Sequence, residues 1–398
     1  MQKEKLVPAI RFKGFEEEWK EKKINQILIP IVSNLTMLYI QEKGLYPVYD
    51  ANNIVGYSSY ALSSAPYLTI IKDGAGVGRT RKLPANSSFL GTMTGLIPKN
   101  SDIDFTYNLM SSLKLEKNFS GSTIPHIYFS DYGKYLVYVP SIIEQQKIGL
   151  FLSNLDILID SQEIKLESLQ TIKQSLLDKM FTSCEQKIPE IRFKGFDKKW
   201  SEKCIDELFS SITDFTAAGS FADMRNNVTY YNKPNYAQLI RITDLKNEFK
   251  NANSVYVDKH AYDFLWRVQL NKECIVISNI GNCGEAFYID PNKLLWEFNA
   301  LAPNAIMLYT SSNSHKFLLN AIKTFNFQNI LKNIISPNGQ TKFNKTEFKE
   351  LNLIVPTFDE QQKIGQFFSN WDSLIHSQEQ KLEKLNNIKQ ALLEKMFC

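Results

Sequence analysis

The chain has 398 residues, 43% hydrophobic and 22% charged, with 46 basic against 42 acidic side chains and a net charge of +4. That length exceeds a single core and calls for two globular domains with connecting elements, in a composition ordinary for a folded protein in water. No apolar run reaches the ~18–20 residues of a membrane span, and the opening MQKEKLVPAIRF has no signal-peptide core, so no membrane association and a cytoplasmic location are expected.

In chain order, the first recognisable text is VPAIRFKGFEEEWKEKKI at 7–24, which returns as IPEIRFKGFDKKWSEKCI at 188–205. Residues 25–138 read as a mixed segment, with short β-rich runs such as YLTIIKD (67–73) and KYLVYVP (134–140) between Gly, Asn and Pro punctuation. The run Asp73-Gly74-Ala75-Gly76-Val77-Gly78-Arg79-Thr80 fails as a Walker loop, which needs Gly and Lys where Asp73 and Arg79 stand. A tight hairpin and a ligand-facing loop both fit, and a hairpin whose glycines let the backbone approach a phosphate would join them. A polar loop, Gly121 to His126, precedes the last strand.

Residues 140–181 form the first of two long repeats; 356–397 matches it at 28 of 42 positions. Apolar residues at steps of four and three (Ile148, Leu152, Leu155, Leu166; then Ile364, Phe368, Trp371, Leu382) mark a heptad seam, with Gln162 and Gln378 as polar members. About 36 residues of helix give a rod of roughly 54 Å. Two equal helices in one chain are expected to pair antiparallel, giving a pseudo-twofold molecule. Between the repeats, residues 206–354 contain a second strand and spaced-glycine turn (ECIVISNIG at 273–281, then Asn282-Cys283-Gly284-Glu285) and a second polar loop, Asn338 to Phe343. The two inserts differ in length and show no obvious similarity. The expected layout is therefore 1–139, 140–181, 182–355 and 356–398: globular domain, helix, globular domain, helix, in an α+β fold.

Charge is not even. Residues 1–139 carry 16 basic and 12 acidic groups and 182–356 carry 21 and 18, whereas the first repeated helix has four basic and six acidic. A basic excess on the variable parts fits nucleic-acid contact there. The five cysteines form no Cys-x-x-Cys pair and the four histidines stand at no zinc spacing with them, so reduced thiols and no metal are expected.

The Glu-Gln-Gln-Lys-Ile-Gly after Pro140 and Pro356, the long heptad helix ending Lys-Met-Phe, and the Ile-Arg-Phe-Lys-Gly-Phe openings followed by Trp19 and Trp200 resemble the specificity subunits of type I DNA restriction–modification systems. The resemblance covers essentially the whole chain. It implies two target recognition domains, each reading half of a bipartite site on double-stranded DNA, joined by an antiparallel coiled coil that sets the spacer. It also implies two methyltransferase (M) subunits docked on the helices, with motor–nuclease (R) subunits added. S-adenosylmethionine, ATP and Mg2+ would serve those partners, with no cofactor bound by this chain. Expected DNA contacts are Lys72, Gly74, Gly76, Gly78, Arg79, Thr80 and Arg81 with Ser122 and Thr123 in the first domain. In the second they are Arg241, Asn279, Gly281, Gly284, Gln340 and Lys342. The loops differ in one respect: Gly-Ser-Thr in the first domain stands as Gly-Gln-Thr in the second. No methyltransferase motif, Walker loop or nuclease carboxylate cluster is present, so the chain is expected to be non-catalytic. The competing reading is a coiled-coil adaptor that does not read DNA.

Overall fold

The computed structural model describes residues 7–117, 125–182, 187–250, 253–336 and 341–397. The first half runs through β1 (Lys20–Lys23), β2 (Leu28–Val32), β3 (Tyr46–Tyr49), β4 (Ile54–Ser58), β5 (Tyr67–Ile71), β6 (Thr80–Leu83), β7 (Ser88–Phe89) and β8 (Met93–Pro98). Helix α1 (Ile103–Ser112), β9 (Leu136–Val139) and the long α2 (Ile142–Met180) follow. The second half has β10 (Ser201–Cys204), β11 (Ser211–Asp214), β12 (Ala237–Ile240), β13 (Val255–Val257), β14 (Cys274–Ser278), β15 (Ala286–Ile289), β16 (Asn299–Leu301) and β17 (Ala305–Tyr309). It closes with α3 (His315–Lys323), α4 (Phe325–Lys332), β18 (Asn352–Val355) and the long α5 (Phe358–Lys395).

The two inserts share little sequence yet have one topology. The first half holds sheets in the orders β1-β9, β2-β8-β5-β6 and β4-β3-β7; the second holds β10-β18, β11-β17-β14-β15 and β13-β12-β16. Among the described residues, each half has one parallel pairing, β3 with β7 and β12 with β16, and these also correspond. Both central strands are buried along their whole length, one as YLTII and the other as CIVIS. Different apolar residues thus meet the same burial requirement, which is why the likeness does not show in the text.

The chain divides into two compact units: residues up to Lys165 with Gln378 onward, and Leu166–Ser377. Each unit therefore contains part of both long helices, and in each the two parts run antiparallel. In the first unit the Gln378 amide donates to Gln162 Oε1 at 2.8 Å, and Lys389 pairs with Asp156. In the second, Lys173 pairs with Asp372. The seam residues Ile148, Leu152, Ile364 and Phe368 are buried; Leu155, Leu166, Trp371 and Leu382 are half-buried. Gln162 and Gln378 are buried too, and their mutual bond satisfies amides that would be costly to leave unpaired.

The repeated text explains itself residue by residue. Arg11 Nε and its terminal nitrogen hold the two oxygens of Glu144 at 2.7 and 2.8 Å, and Arg192 holds Glu360 at the same distances. Gln145 donates to Pro140 O and Gln361 to Pro356 O, locking each helix start. Lys147 lies over the rings of Phe12 and Phe15, and Lys363 over those of Phe193 and Phe196. Gly149 lets α2 approach the start of α1, since a Cβ there would come within 2.7 Å of Phe105 N; Gly365 does the same at α3, 2.8 Å from Phe317 N. The terminal Met-Phe pairs complete the cores. Met396 and Phe397 pack with Trp19 and Phe105 in the first unit, and Met180 and Phe181 with Trp200 and Phe317 in the second.

Candidate nucleic-acid interface

In the first unit β5 and β6 form a hairpin, closed by Ile71 N donating to Arg79 O at 3.1 Å and Gly78 N to Ile71 O at 2.9 Å. Gly74, Gly76 and Gly78 all have φ between +81° and +85°, the left-handed region that favours glycine. Their surroundings differ. A Cβ on Gly78 would lie 2.4 Å from Glu116 N, so this glycine seats the hairpin on its own domain, whereas Gly74 has nothing within 4 Å. The hairpin is joined by the loop before β9: Gly74 N donates to Pro125 O, Ile127 N donates to Lys72 O, and His126 Nδ1 lies 2.7 Å from Asp73 Oδ1. Two loops that the sequence presents separately thus become one surface.

The second unit repeats the arrangement with other residues. Between β14 and β15, Gly281 and Gly284 have φ of +84° and +92°. Gly284 is the inward one, with a Cβ position 2.7 Å from Gln328 Oε1 on α4, and Gly281 is the open one. Gly281 N donates to Thr341 O at 2.9 Å, the Thr341 hydroxyl donates back to Gly281 O at 2.6 Å, and Phe343 N donates to Asn279 O. Lys342, exposed, stands on this joined surface.

The basic residues of the first hairpin separate by strand alternation. Arg79 and Arg81 face the β3–β4 turn, where Arg79 donates to Ala51 O and Asn52 Oδ1, both at 2.6 Å, and Arg81 lies 5.1 Å from the centre of the Tyr49 ring. Lys82 points the other way and pairs with Asp104 on α1. Arg79 remains exposed, and Lys72 is half-buried with its ammonium 3.9 Å from Asp73. Thr80 and Asn279 carry buried side-chain oxygens without a partner among the described residues, so both face inward. Arg241 grips Asp244 through two bonds and donates to Asn253 O, with the carboxylate raising its pKa further. Ser122, Thr123 and Gln340 lie outside the described residues.

A cavity of 510 Å³ adjoins the second hairpin, lined by Arg241, Lys246, Asn282, Glu285 and Asn304 among others, with Lys246 and Glu285 paired at 2.6 Å. Lys246 and Asn304, like Asn52 in the first unit, carry no sequence signal, and Asp73, His126, Asn282 and Glu285 are legible only as members of the loops, not as individual contacts. They come from different segments that only the sheet brings together.

Comparison with known proteins places these features. The model of the type I restriction modification DNA specificity domain matches residues 16–171 and again 197–387. A putative type I restriction enzyme specificity subunit, MjaX, of Methanocaldococcus jannaschii is 30% identical over 104 residues, a match spanning 25% of this chain and 24% of that relative. The crystal structure of a type I restriction-modification S subunit from M. genitalium superposes with a TM-score of 0.63 at 17% identity, over 98% of this chain and 99% of that one. A chain from a structure on complex assembly and conformational transition of a type I R-M system gives 0.52 at 13%, over 96% and 98%. At these identities the two superpositions speak for the fold. Among the described residues, no helix is long and apolar enough to cross a membrane.

Proposed function

Given that the chain belongs to the type I restriction–modification DNA specificity family, we propose that it is the DNA-reading subunit of such a complex and has no catalysis of its own. Each unit reads one half of a bipartite duplex target with the surface formed by its glycine hairpin and the adjoining loop. The paired helices set the spacer and dock two methyltransferase subunits, to which motor–nuclease subunits add. S-adenosylmethionine, ATP and Mg2+ belong to those partners, and the assembly works in the cytoplasm.

One observation carries this reading. Two inserts of dissimilar sequence have the same strand plan and join the same two loops, each with one inward and one open glycine. A common scaffold with divergent loops suits two different half-sites, because contacts to phosphate position a protein while base contacts specify sequence. An adaptor would have no need of two divergent surfaces on matched frames.

Single-molecule methylome sequencing of a host with and without the gene tests the reading. A bipartite adenine-methylated motif should vanish with the gene. Exchanging residues 25–138 for a homologue's insert should change one half-site and keep the other half and the spacer. Loss of both halves in a folded, assembled chimera would refute independent reading.

A further inference from the structure

The two repeated helices differ at 14 of their 42 positions, and only four of those differences exchange an aliphatic side chain for a polar one. Ile143, Leu150, Ile157 and Ile164 on α2 correspond to Asp359, Gln366, Ser373 and Gln380 on α5. The four are spaced seven apart, so they form one row about 32 Å long on a single helix face. They are not part of the seam: their exposures are 67%, 63%, 64% and 65%, and all four polar counterparts are exposed as well. Phe151 and Leu158 lie beside the row at 41% and 42% exposed. Their counterparts, Phe367 and Leu374, are apolar too, so both helices keep the flanking pair and the first alone adds the outer row.

Packing in the first unit does not call for this row, which costs solubility if left bare. The six side chains offer on the order of 600 Å² of apolar surface, the upper end for a monomer's patch and near the ~800 Å² each partner of a stable complex contributes. A heptad row selects a helix as its complement. The exposed Asp160, Glu163 and Glu167 flank its second half against Lys165 alone, and Lys147 at its start lies over Phe12 and Phe15, so the acidic excess favours a basic border on that helix. At the position matching Asp160 the second helix has His376.

We propose that Ile143, Leu150, Ile157 and Ile164 receive an amphipathic, basic-bordered helix of a methyltransferase subunit, and that the two docking faces of this chain are therefore unequal. The face on α2 fills first and holds tightest; the face on α5, with the flanking pair alone, fills second. This rests on the reading of the repeated helices as docking elements for two such subunits.

The test is titration of the full chain with the methyltransferase subunit of its own system, followed by native mass spectrometry and sedimentation velocity. The unaltered chain should accumulate a one-to-one complex before the two-to-one complex, the first step being tighter by about tenfold or more. Leu150→Gln with Ile157→Ser, which only installs the second helix's exposed residues, should weaken the first step about tenfold and leave the second unchanged. Gln366→Leu with Ser373→Ile should tighten the second. Two equal steps in the unaltered chain, or a first step indifferent to the first pair of substitutions, would overturn the proposal while leaving the docking reading intact. Failure to bind any methyltransferase subunit would overturn both. A chain that dimerises alone and becomes monomeric with L150Q/I157S would reassign the row to a second copy and overturn the proposal as well.

Discussion

Arg192→Met should unlock the second unit specifically. The Glu360 side chain is 1% exposed and both its oxygens are held by Arg192, at 2.7 and 2.8 Å. The same guanidinium donates to Lys198 O at 2.7 Å, shaping the loop that brings Phe193 and Phe196 over Lys363. Removing one partner of a buried pair leaves an uncompensated charge, which costs about 3–5 kcal/mol. For a unit of this size 1 kcal/mol moves the melting midpoint by ~2–4 °C, so a fall of about 10 °C is expected in its transition. Adding Glu360→Gln removes the stranded charge and should recover roughly half of the loss. Calorimetry gives the midpoint, and hydrogen exchange assigns it: protection should drop around α3, β18 and the start of α5, while β2, β5 and β8 of the first unit keep theirs. Arg11→Met provides the internal control, because Arg11 and Glu144 have the same geometry in the first unit and should give the mirror result. A midpoint change below about 2 °C, or no recovery with Glu360→Gln, would refute the idea that this pair locks the frame.

Other outcomes follow from the same geometry. Gly78→Ala should destabilise the first unit by about 2 kcal/mol or more, from a backbone clash at Glu116 and a left-handed φ, whereas Gly74→Asn should melt nearly normally and weaken DNA binding in the assembled methyltransferase. Arg79→Ala should weaken binding to cognate and scrambled duplexes alike and make the salt slope shallower by ~1, the mark of a phosphate contact; Arg81→Ala, whose guanidinium is occupied over Tyr49, should do so less. Replacing both Gln162 and Gln378 with Leu should raise the melting point of the helix pair and loosen its register, read as higher thermal stability with blurred methylation specificity. Burial lowers the pKa of His315, partly offset by Glu273, and its Nε2 accepts from Thr310 N, which requires the neutral ring. The unfolded chain then takes up the proton first, so this stability is full above pH ~6.5 and declines as pH falls below it; His315→Gln should flatten that part of the calorimetric pH profile.

The long helices and their seam were legible because a heptad pattern is local and was written twice. Gln162 and Gln378 stood out as polar residues in an apolar row, and their bond to each other is the consequence. The loops were legible only as loops. That Gly78 faces inward and Gly74 outward depends on Glu116, and the same choice between Gly284 and Gly281 depends on Gln328; no neighbouring residue announces either. The basic residues around the first turn separate for a simpler reason: alternation along β6 sends Lys82 to Asp104, away from Arg79 and Arg81. The shared topology of the inserts was hidden because burial constrains polarity and volume, not identity, so YLTII and CIVIS serve one position in the plan.

Repetition and divergence in this chain therefore report different constraints. Glu144, Gln145, Lys147, Ile148 and Gly149 each meet the same kind of partner as Glu360, Gln361, Lys363, Ile364 and Gly365, and a change in any of them would cost a bond, a ring contact, core burial or a close approach. Packing alone accounts for that repetition, without appeal to shared ligands. The outer faces of α2 and α5 are free of that demand: Ile143 and Asp359 are equally acceptable to the fold, since both are exposed. A difference at such a position changes little in the fold, and the proposed methyltransferase-subunit helix would account for the row from Ile143 to Ile164. The open glycines Gly74 and Gly281 are a different case: their left-handed backbones are held by the turns' own bonds to Pro125 O and Thr341 O, and the space where a Cβ would stand is empty, which leaves room for close approach to the backbone.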